Sequence, residues 1–305
     1  MGSVRLRFTA ALLLYIASAG GAAAQEEWTA SPVDATSLPS EIASETQRKA
    51  LDGLPDGLVA THAGKGDIVS AWYGAPTTRY GHGILGDAIE AGELIVKSAK
   101  GRTFSLVLPP SEVFEDRYPR LADLDGDGTV EVVAIRSSLT FGASVAGYGL
   151  RKGTVMELAS TPFIGRANRW LNIADIARFR GRRGREIAYV QTPHIGGTLF
   201  LYAFEQGRLT KIGSLGGFSN HFIGSRDMRL SAVADIDGDG RMELALPSAN
   251  RYRLRIIGFG KSGPAYRAGV DLSAAIDKAI AVRGAGLMTR FIVGLENGQI
   301  FEIRR

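Results

Sequence analysis

Two nine-residue stretches carry carboxylates at a spacing suited to a hard cation. In Asp123-Leu124-Asp125-Gly126-Asp127-Gly128-Thr129-Val130-Glu131 the acids fall at positions one, three, five and nine, and Asp235-Ile236-Asp237-Gly238-Asp239-Gly240-Arg241-Met242-Glu243 repeats the pattern. Calcium takes six to eight oxygen ligands, and alternate carboxylates on a tightly curled loop converge on one point. Glycines at positions four and six allow the curl because they tolerate positive φ. At position seven Thr129 and Arg241 offer their backbone carbonyls. Two calcium sites are therefore expected, with ligands from Asp123, Asp125, Asp127, Thr129 and Glu131, and from Asp235, Asp237, Asp239, Arg241 and Glu243. A metal-free acidic turn is the alternative, but three aspartates in five residues repel one another unless a cation neutralises them. An EF-hand is excluded, since position twelve is Ala134 or Leu246 rather than Glu and the run after each loop is β-type.

A second set of residues is more diffuse. Arg117, Arg169 and Arg229 each stand six residues before an aspartate (Asp123, Asp175, Asp235), with Tyr118 and Trp170 beside two of them. A long insert brings Arg79, Tyr80 and His82, and later loops bring His194, Asn220, His221, Arg226 and Tyr252. Arginines with aromatic and imidazole groups suit an anionic ligand through charge-assisted hydrogen bonds, or a glycan or peptide through stacking. The alternative is that each arginine only pairs with a neighbouring carboxylate. There is no Gly-x-Ser-x-Gly, no His-Glu-x-x-His and no phosphate loop. His82 with Asp87 is the most suggestive catalytic pair, yet no nucleophile accompanies it.

The elements that must position these groups are short strands. An acidic residue precedes an apolar strand at Asp67, Glu131, Glu186 and Glu243, and a fifth strand follows Arg290. Each is followed by a second apolar run, at Glu93–Lys97, Ser144–Leu150, Thr198–Phe204, Tyr252–Phe259 and Gln299–Ile303, then by a polar turn such as Lys152-Gly153 or Gln206-Gly207. Self-similar units of three or four short strands predict an all-β chain, a β-propeller of five blades, with a β-sandwich of accidental periodicity as the alternative. The last unit ends without an outer strand, for which Trp28–Val33 is the candidate donor. Alternation of strand ends then places the second set of residues on the face opposite the acidic loops.

The two loops, the repeat length, Phe141-Gly142-Ala143 and Gly74-Ala75-Pro76 resemble FG-GAP (VCBS-type) repeats of the integrin α N-terminal propeller class over about residues 55–305. The resemblance implies a propeller with calcium in hairpins between the first two strands of a blade. The third unit departs from it: Asp175 opens a similar run, but Phe179–Arg185 is basic and is read as lengthened, so no calcium is expected there. The first and fifth units lack the acidic loop, and the chain is too short for seven blades.

The remaining composition is permissive. The 305 residues hold 45% hydrophobic and 22% charged residues, 39 glycines and a formal charge of +5 without a long basic run, which argues against nucleic acid. No cysteine is present, so disulfides, thiolate metal sites and a lipoprotein anchor are excluded. Arg5 and Arg7, the apolar Phe8–Ala19 and Ala22-Ala23-Ala24 form a signal peptide over residues 1–24, against the alternative of an uncleaved anchor. Residues 25–54 are a lead-in with a short helix expected over Ser40–Leu51, and 55–305 the folded unit. The expectation is a periplasmic or secreted, non-enzymatic recognition module for a protein or an anionic or glycan ligand, with structural calcium and no membrane span. A hydrolase or lyase acting on an anionic polymer is the alternative.

Overall fold

The computed structural model describes residues 27–34 and 48–305. The signal peptide and most of the expected helix lie outside them. Where the helix expectation can be met it fails, because Lys49 forms an antiparallel bridge with Leu58.

The described chain is all-β, with a single short 3-10 turn at Gly286–Met288. Five antiparallel meanders follow one another. The first comprises β2 (Ala60–Thr61), β3 (Ile68–Thr77), β4 (Glu90–Ser98) and β5 (Thr103–Val107), counting from β1 (Thr29–Pro32) near the N-terminus. After β6 (Glu112–Phe114) come β7 (Arg120–Ala122), β8 (Glu131–Ser138), β9 (Gly142–Arg151) and β10 (Thr154–Ser160). The third holds β11 (Leu171–Ala177), β12 (Glu186–Gln191), β13 (Thr198–Glu205) and β14 (Arg208–Gly216). The fourth holds β15 (Ala232–Ala234), β16 (Glu243–Pro247), β17 (Arg253–Gly260) and β18 (Gly263–Asp271). The last holds β19 (Ala281–Arg283), β20 (Arg290–Gly294) and β21 (Ile300–Arg304). The hairpins β9–β10 and β13–β14 turn through Lys152-Gly153 and Gln206-Gly207, all at positive φ, the geometry that matches strand twist in a two-residue turn.

Trp28–Val33 does supply the missing outer strand. β1 pairs antiparallel with β21 from Thr29↔Arg304 to Pro32↔Phe301, and the Trp28 ring packs 5.8 Å from that of Phe291.

The closed five-bladed ring is not what is seen. β6 bonds to both β4 and β8 and so fuses the first two meanders into one nine-stranded sheet. First strands touch in succession from β2 to β7 and from β11 through β15 to β19, but among the described residues no strand pairing joins β19 back to β2.

Cores lie between consecutive sheets, and the central strands feed two at once. Val132 and Ala134 of β8 face the first meander while Val133 and Ile135 face the third. Ile187 and Tyr189 of β12 point to the second meander, and Ala188 and Val190 to the fourth. Burial on both faces explains why these strands are unbroken apolar runs instead of alternating ones.

Candidate functional site

The acidic loops connect β7 to β8 and β15 to β16 with the same construction. Each begins directly after a strand, and the position-nine acid opens the next one. Gly126, Gly128, Gly238 and Gly240 all sit at positive φ, as the curl requires. In each loop the three aspartates offer oxygens within 4.8 Å of one another. Glu131 and Glu243 are buried, and their Oε2 atoms accept the N–H of Leu124 (3.0 Å) and Ile236 (3.1 Å). Burial, with the charges of Asp125 and Asp127 behind it, pushes the Glu131 carboxyl up to about 7. An all-oxygen set of three carboxylates plus a buried fourth fits calcium.

The basic stretch of the third meander has the same frame, contrary to its expected lengthening. β11 ends at Ala177 and β12 opens at Glu186, so the loop is Arg178-Phe179-Arg180-Gly181-Arg182-Arg183-Gly184-Arg185-Glu186, again nine residues. Asp175 lies inside β11 beside a bulge and does not open the loop. Asn172, not Arg169, therefore stands six residues before position one; it is buried and donates to the carbonyls of Asn220 and Met228.

At the other end of the sheets the structure gathers part of the second set. His82, from the long β3–β4 connection, places Nδ1 2.5 Å from Oε1 of the fully buried Glu115, whose Oε2 also accepts the Ser137 hydroxyl. With Nδ1–H donated to the carboxylate, Nε2 is left as the basic nitrogen. Tyr80 packs edge-on at 5.8 Å from the His82 ring. Trp170 donates its indole N–H to the Glu115 carbonyl (3.0 Å) and lies 4.7 Å from the His221 ring and 6.1 Å, stacked, from His194. His194 Nε2 and His221 Nδ1 are 3.0 Å apart. Burial lowers His194 to about 4 and His221 to about 3, so both rings are neutral near pH 7. Burial also raises Glu115, against the opposing pull of His82 and Ser137, and raises Glu90, which the Glu115 charge pushes further.

Other members of the second set do structural work. Arg117 pairs with Asp56 (3.1 Å) and bonds the Arg226 carbonyl, while Arg79 bonds the Glu112 carbonyl. Arg169 donates to the Asn168 carbonyl (2.9 Å). Tyr118 is buried beneath the Arg120 guanidinium. Arg229 lines a separate cavity of about 340 Å³ with Arg120, Arg185 and Asp175. Asp87 is held by Arg226 (3.1 Å), so the partner of His82 is Glu115.

Sequence reasoning misses Glu115, Ser137, Glu90 and Arg251. Arg251 exerts its charge on both His194 and His221 and covers the Phe222 ring at 4.9 Å. Its backbone is held at φ 64, and its Nη1 is buried without a hydrogen bond among the described residues. That backbone belongs to the β16–β17 turn, closed by the Arg251 N–H on the Ser248 carbonyl (2.8 Å).

No family model matches the chain, and no curated protein matches it in sequence. Solved structures do. The rhamnogalacturonan lyase YesW aligns with TM-score 0.51 and 18% identity, over 76% of this chain and 45% of that one. The PL11 rhamnogalacturonan lyase of Bacillus licheniformis aligns with TM-score 0.50 and 15% identity, over 90% and 53%. In fold, this chain resembles these lyases. It spans about half their length.

Two expectations are corrected by these findings. The FG-GAP and integrin-like assignment has no family match behind it, and the structural likeness leads to lyases instead. The Phe-Gly-Ala motif has a local cause: Gly142 sits at φ 73, where an added Cβ would fall 2.3 Å from the Arg166 carbonyl oxygen. The expectation of a non-enzyme finds no support in these comparisons either, since the structures sharing this fold are named as lyases. Among the described residues no helix is long and apolar enough to cross a membrane.

Proposed function

We propose that this chain is an exported enzyme that cleaves an anionic polysaccharide by β-elimination, at the end of the sheets opposite the acidic loops. The observation that carries the reading is His82 held by buried Glu115, with Tyr80 packed edge-on against its ring. The charges of His82 and Arg251 both reach His194. The naming of the fold neighbours as lyases agrees with it.

The chemistry follows from the groups. His82 Nε2 removes the proton at C5 of a uronate, α to its carboxylate, because Glu115 fixes the ring and stabilises the imidazolium that forms. The C5–H electrons form the C4–C5 double bond as the C4–O bond breaks, and the departing glycosidic oxygen takes a proton from the Tyr80 hydroxyl. Arg251 pairs with the uronate carboxylate, lowering the cost of charge at C5. Trp170, buried between the His194 and His221 rings with its indole N–H on the Glu115 carbonyl, holds the Glu115 segment in place from below.

Calcium in the two acidic loops would be held by Asp123, Asp125, Asp127 and Glu131, and by Asp235, Asp237, Asp239 and Glu243. When bound it neutralises the clustered carboxylates and fixes the two hairpins; the eliminating residues are at the other end. Residues 1–24 direct export in this reading.

The test is incubation of the mature protein in calcium with rhamnogalacturonan, polygalacturonate and a neutral glycan, following ultraviolet absorbance of the unsaturated uronate. A rise with an anionic polymer that is absent in His82→Ala supports the reading. Tight binding of the polymer without any absorbance would return the chain to a recognition module.

A further inference from the structure

The loop Arg178–Glu186 inverts the charge of the loops on either side of it. Matched by position, Arg178, Arg180 and Arg182 stand where Asp123, Asp125 and Asp127, and Asp235, Asp237 and Asp239, stand in its neighbours. What is shared is equally specific. Gly181 at position four has φ 66, beside 78 for Gly126 and 79 for Gly238. Glu186 at position nine is buried, and its Oε2 accepts the Phe179 N–H at 3.0 Å, the same bond Glu131 and Glu243 make.

The loop's arginines meet the groups a cation would meet. Arg180 Nε lies 2.8 Å from Glu186 Oε1, its side chain almost wholly buried. Arg178 Nε donates to the Arg182 carbonyl (3.1 Å), and Nη2 to that of Arg183 (3.4 Å). Arg182 pairs with Glu205 at 2.6 Å. Glu131 and Glu243 also meet a guanidinium, Arg151 at 3.4 Å and Arg267 at 2.6 Å, but each comes from a strand outside its loop and faces three aspartates besides. Only in the third loop do the loop's own guanidiniums stand in place of those aspartates, one on the buried acid and another on the loop carbonyls.

We propose that the third hairpin carries its own cation: Arg180, with Arg178, does for Glu186 and the loop carbonyls what a divalent metal does in the flanking loops. The chain then takes two calcium ions and not three, and the third hairpin keeps its shape when calcium is withdrawn. Because the loop is bonded to both neighbours, through Arg185 N to the Leu124 carbonyl and Met242 N to the Arg178 carbonyl, each 3.1 Å, it is a permanent strut between two removable ones. The count of two rests on the calcium reading above, whereas the arginine lock does not.

Two measurements decide it. Equilibrium dialysis against calcium, read by elemental analysis, gives two ions per wild-type chain and three in Arg178→Asp/Arg180→Asp/Arg182→Asp. Three in the wild type overturns the proposal. Arg180→Gln, melted in excess chelator, loses several degrees relative to wild type and loses amide protection in β11 and β12, with Arg180→Lys between the two. An unchanged melt and unchanged protection in Arg180→Gln also overturn it. Zero calcium in the wild type removes the calcium reading alone, and the Arg180→Gln melt then decides the lock by itself.

Discussion

His82 Nδ1 and Glu115 Oε1 stand 2.5 Å apart across 33 residues of sequence, one on the open β3–β4 connection and the other buried where β6 leaves the sheet. A fixed carboxylate behind an accessible imidazole selects the tautomer and opposes rotation of the ring, as in other base-orienting pairs.

Glu115→Gln should therefore leave KM for an anionic polymer within a few-fold and lower kcat by about 10²–10⁴-fold. Steady-state rates by ultraviolet absorbance check this. A raised KM with kcat preserved would place Glu115 in packing only.

Arg251→Gln is expected to raise KM as well as lower kcat, since one ion pair both binds the uronate and eases charge at C5. A lost charge-assisted hydrogen bond is worth about 1.5–3 kcal/mol, which corresponds to a fall in kcat/KM of roughly 10–100-fold. The loss should shrink for a substrate whose uronates are methyl-esterified, since no carboxylate remains to be recognised.

Calcium that binds only the folded state adds about 2.7 kcal/mol per site at a hundred times its dissociation constant. Denaturant unfolding in calcium and in chelator should differ by that order for each acidic loop. Asp125→Ala with Asp237→Ala should abolish the difference.

The buried imidazoles contribute stability that acid removes, opposite in sign to the contribution of the raised carboxyls of Glu90, Glu115 and Glu131. His221 and His194 have folded values below the unfolded one, so as pH falls past about 6.5 the unfolded chain takes up protons that the folded chain refuses. Stability is lost through that window down to the folded values, about 3 and about 4. For His221 alone the loss is on the order of 2 kcal/mol by pH ~4.5. Urea midpoints at pH 7 and 4.5 should converge in His221→Gln relative to wild type.

Trp28→Ala should cost about 3–5 kcal/mol, the range for large aromatic truncations in a core. Trp28 packs on Phe291 at the edge where β1 completes the last sheet, and Trp28→Phe should recover most of the melting temperature.

Strands and acidic hairpins are legible in the sequence because both depend on short-range pattern. Glu131 and Glu243 announce a loop and the strand after it within nine residues. The third loop is the exception: Asp175 offers an acid at nearly the right distance, and spacing alone cannot reveal the bulge at Ile173/Asp175. The catalytic candidate is half legible. His82, Tyr80, Trp170, His194 and His221 stand out by type and by face, whereas Glu115 lies in a stretch, Val113-Phe114-Glu115-Asp116, whose burial comes from contacts made far away in sequence. Along the chain His82 pairs most naturally with its neighbour Asp87, because a partner contributed by another repeat leaves no spacing to find.

The two-sided burial of β8, β12 and β16 also bears on how the chain finds its register. A strand that slips by one residue ordinarily turns its oil toward water, and the error corrects itself. Here a slipped β8 would still exchange one apolar environment for another, because Val132, Val133, Ala134 and Ile135 all end buried. Hydrophobicity is nearly blind to that mistake. The alignment must be keyed by the hairpin tips, where Glu131, Glu186 and Glu243 each accept one particular N–H across the turn. Those three bonds are the proofreading marks of the fold, and their loss would show in the time the chain takes to settle.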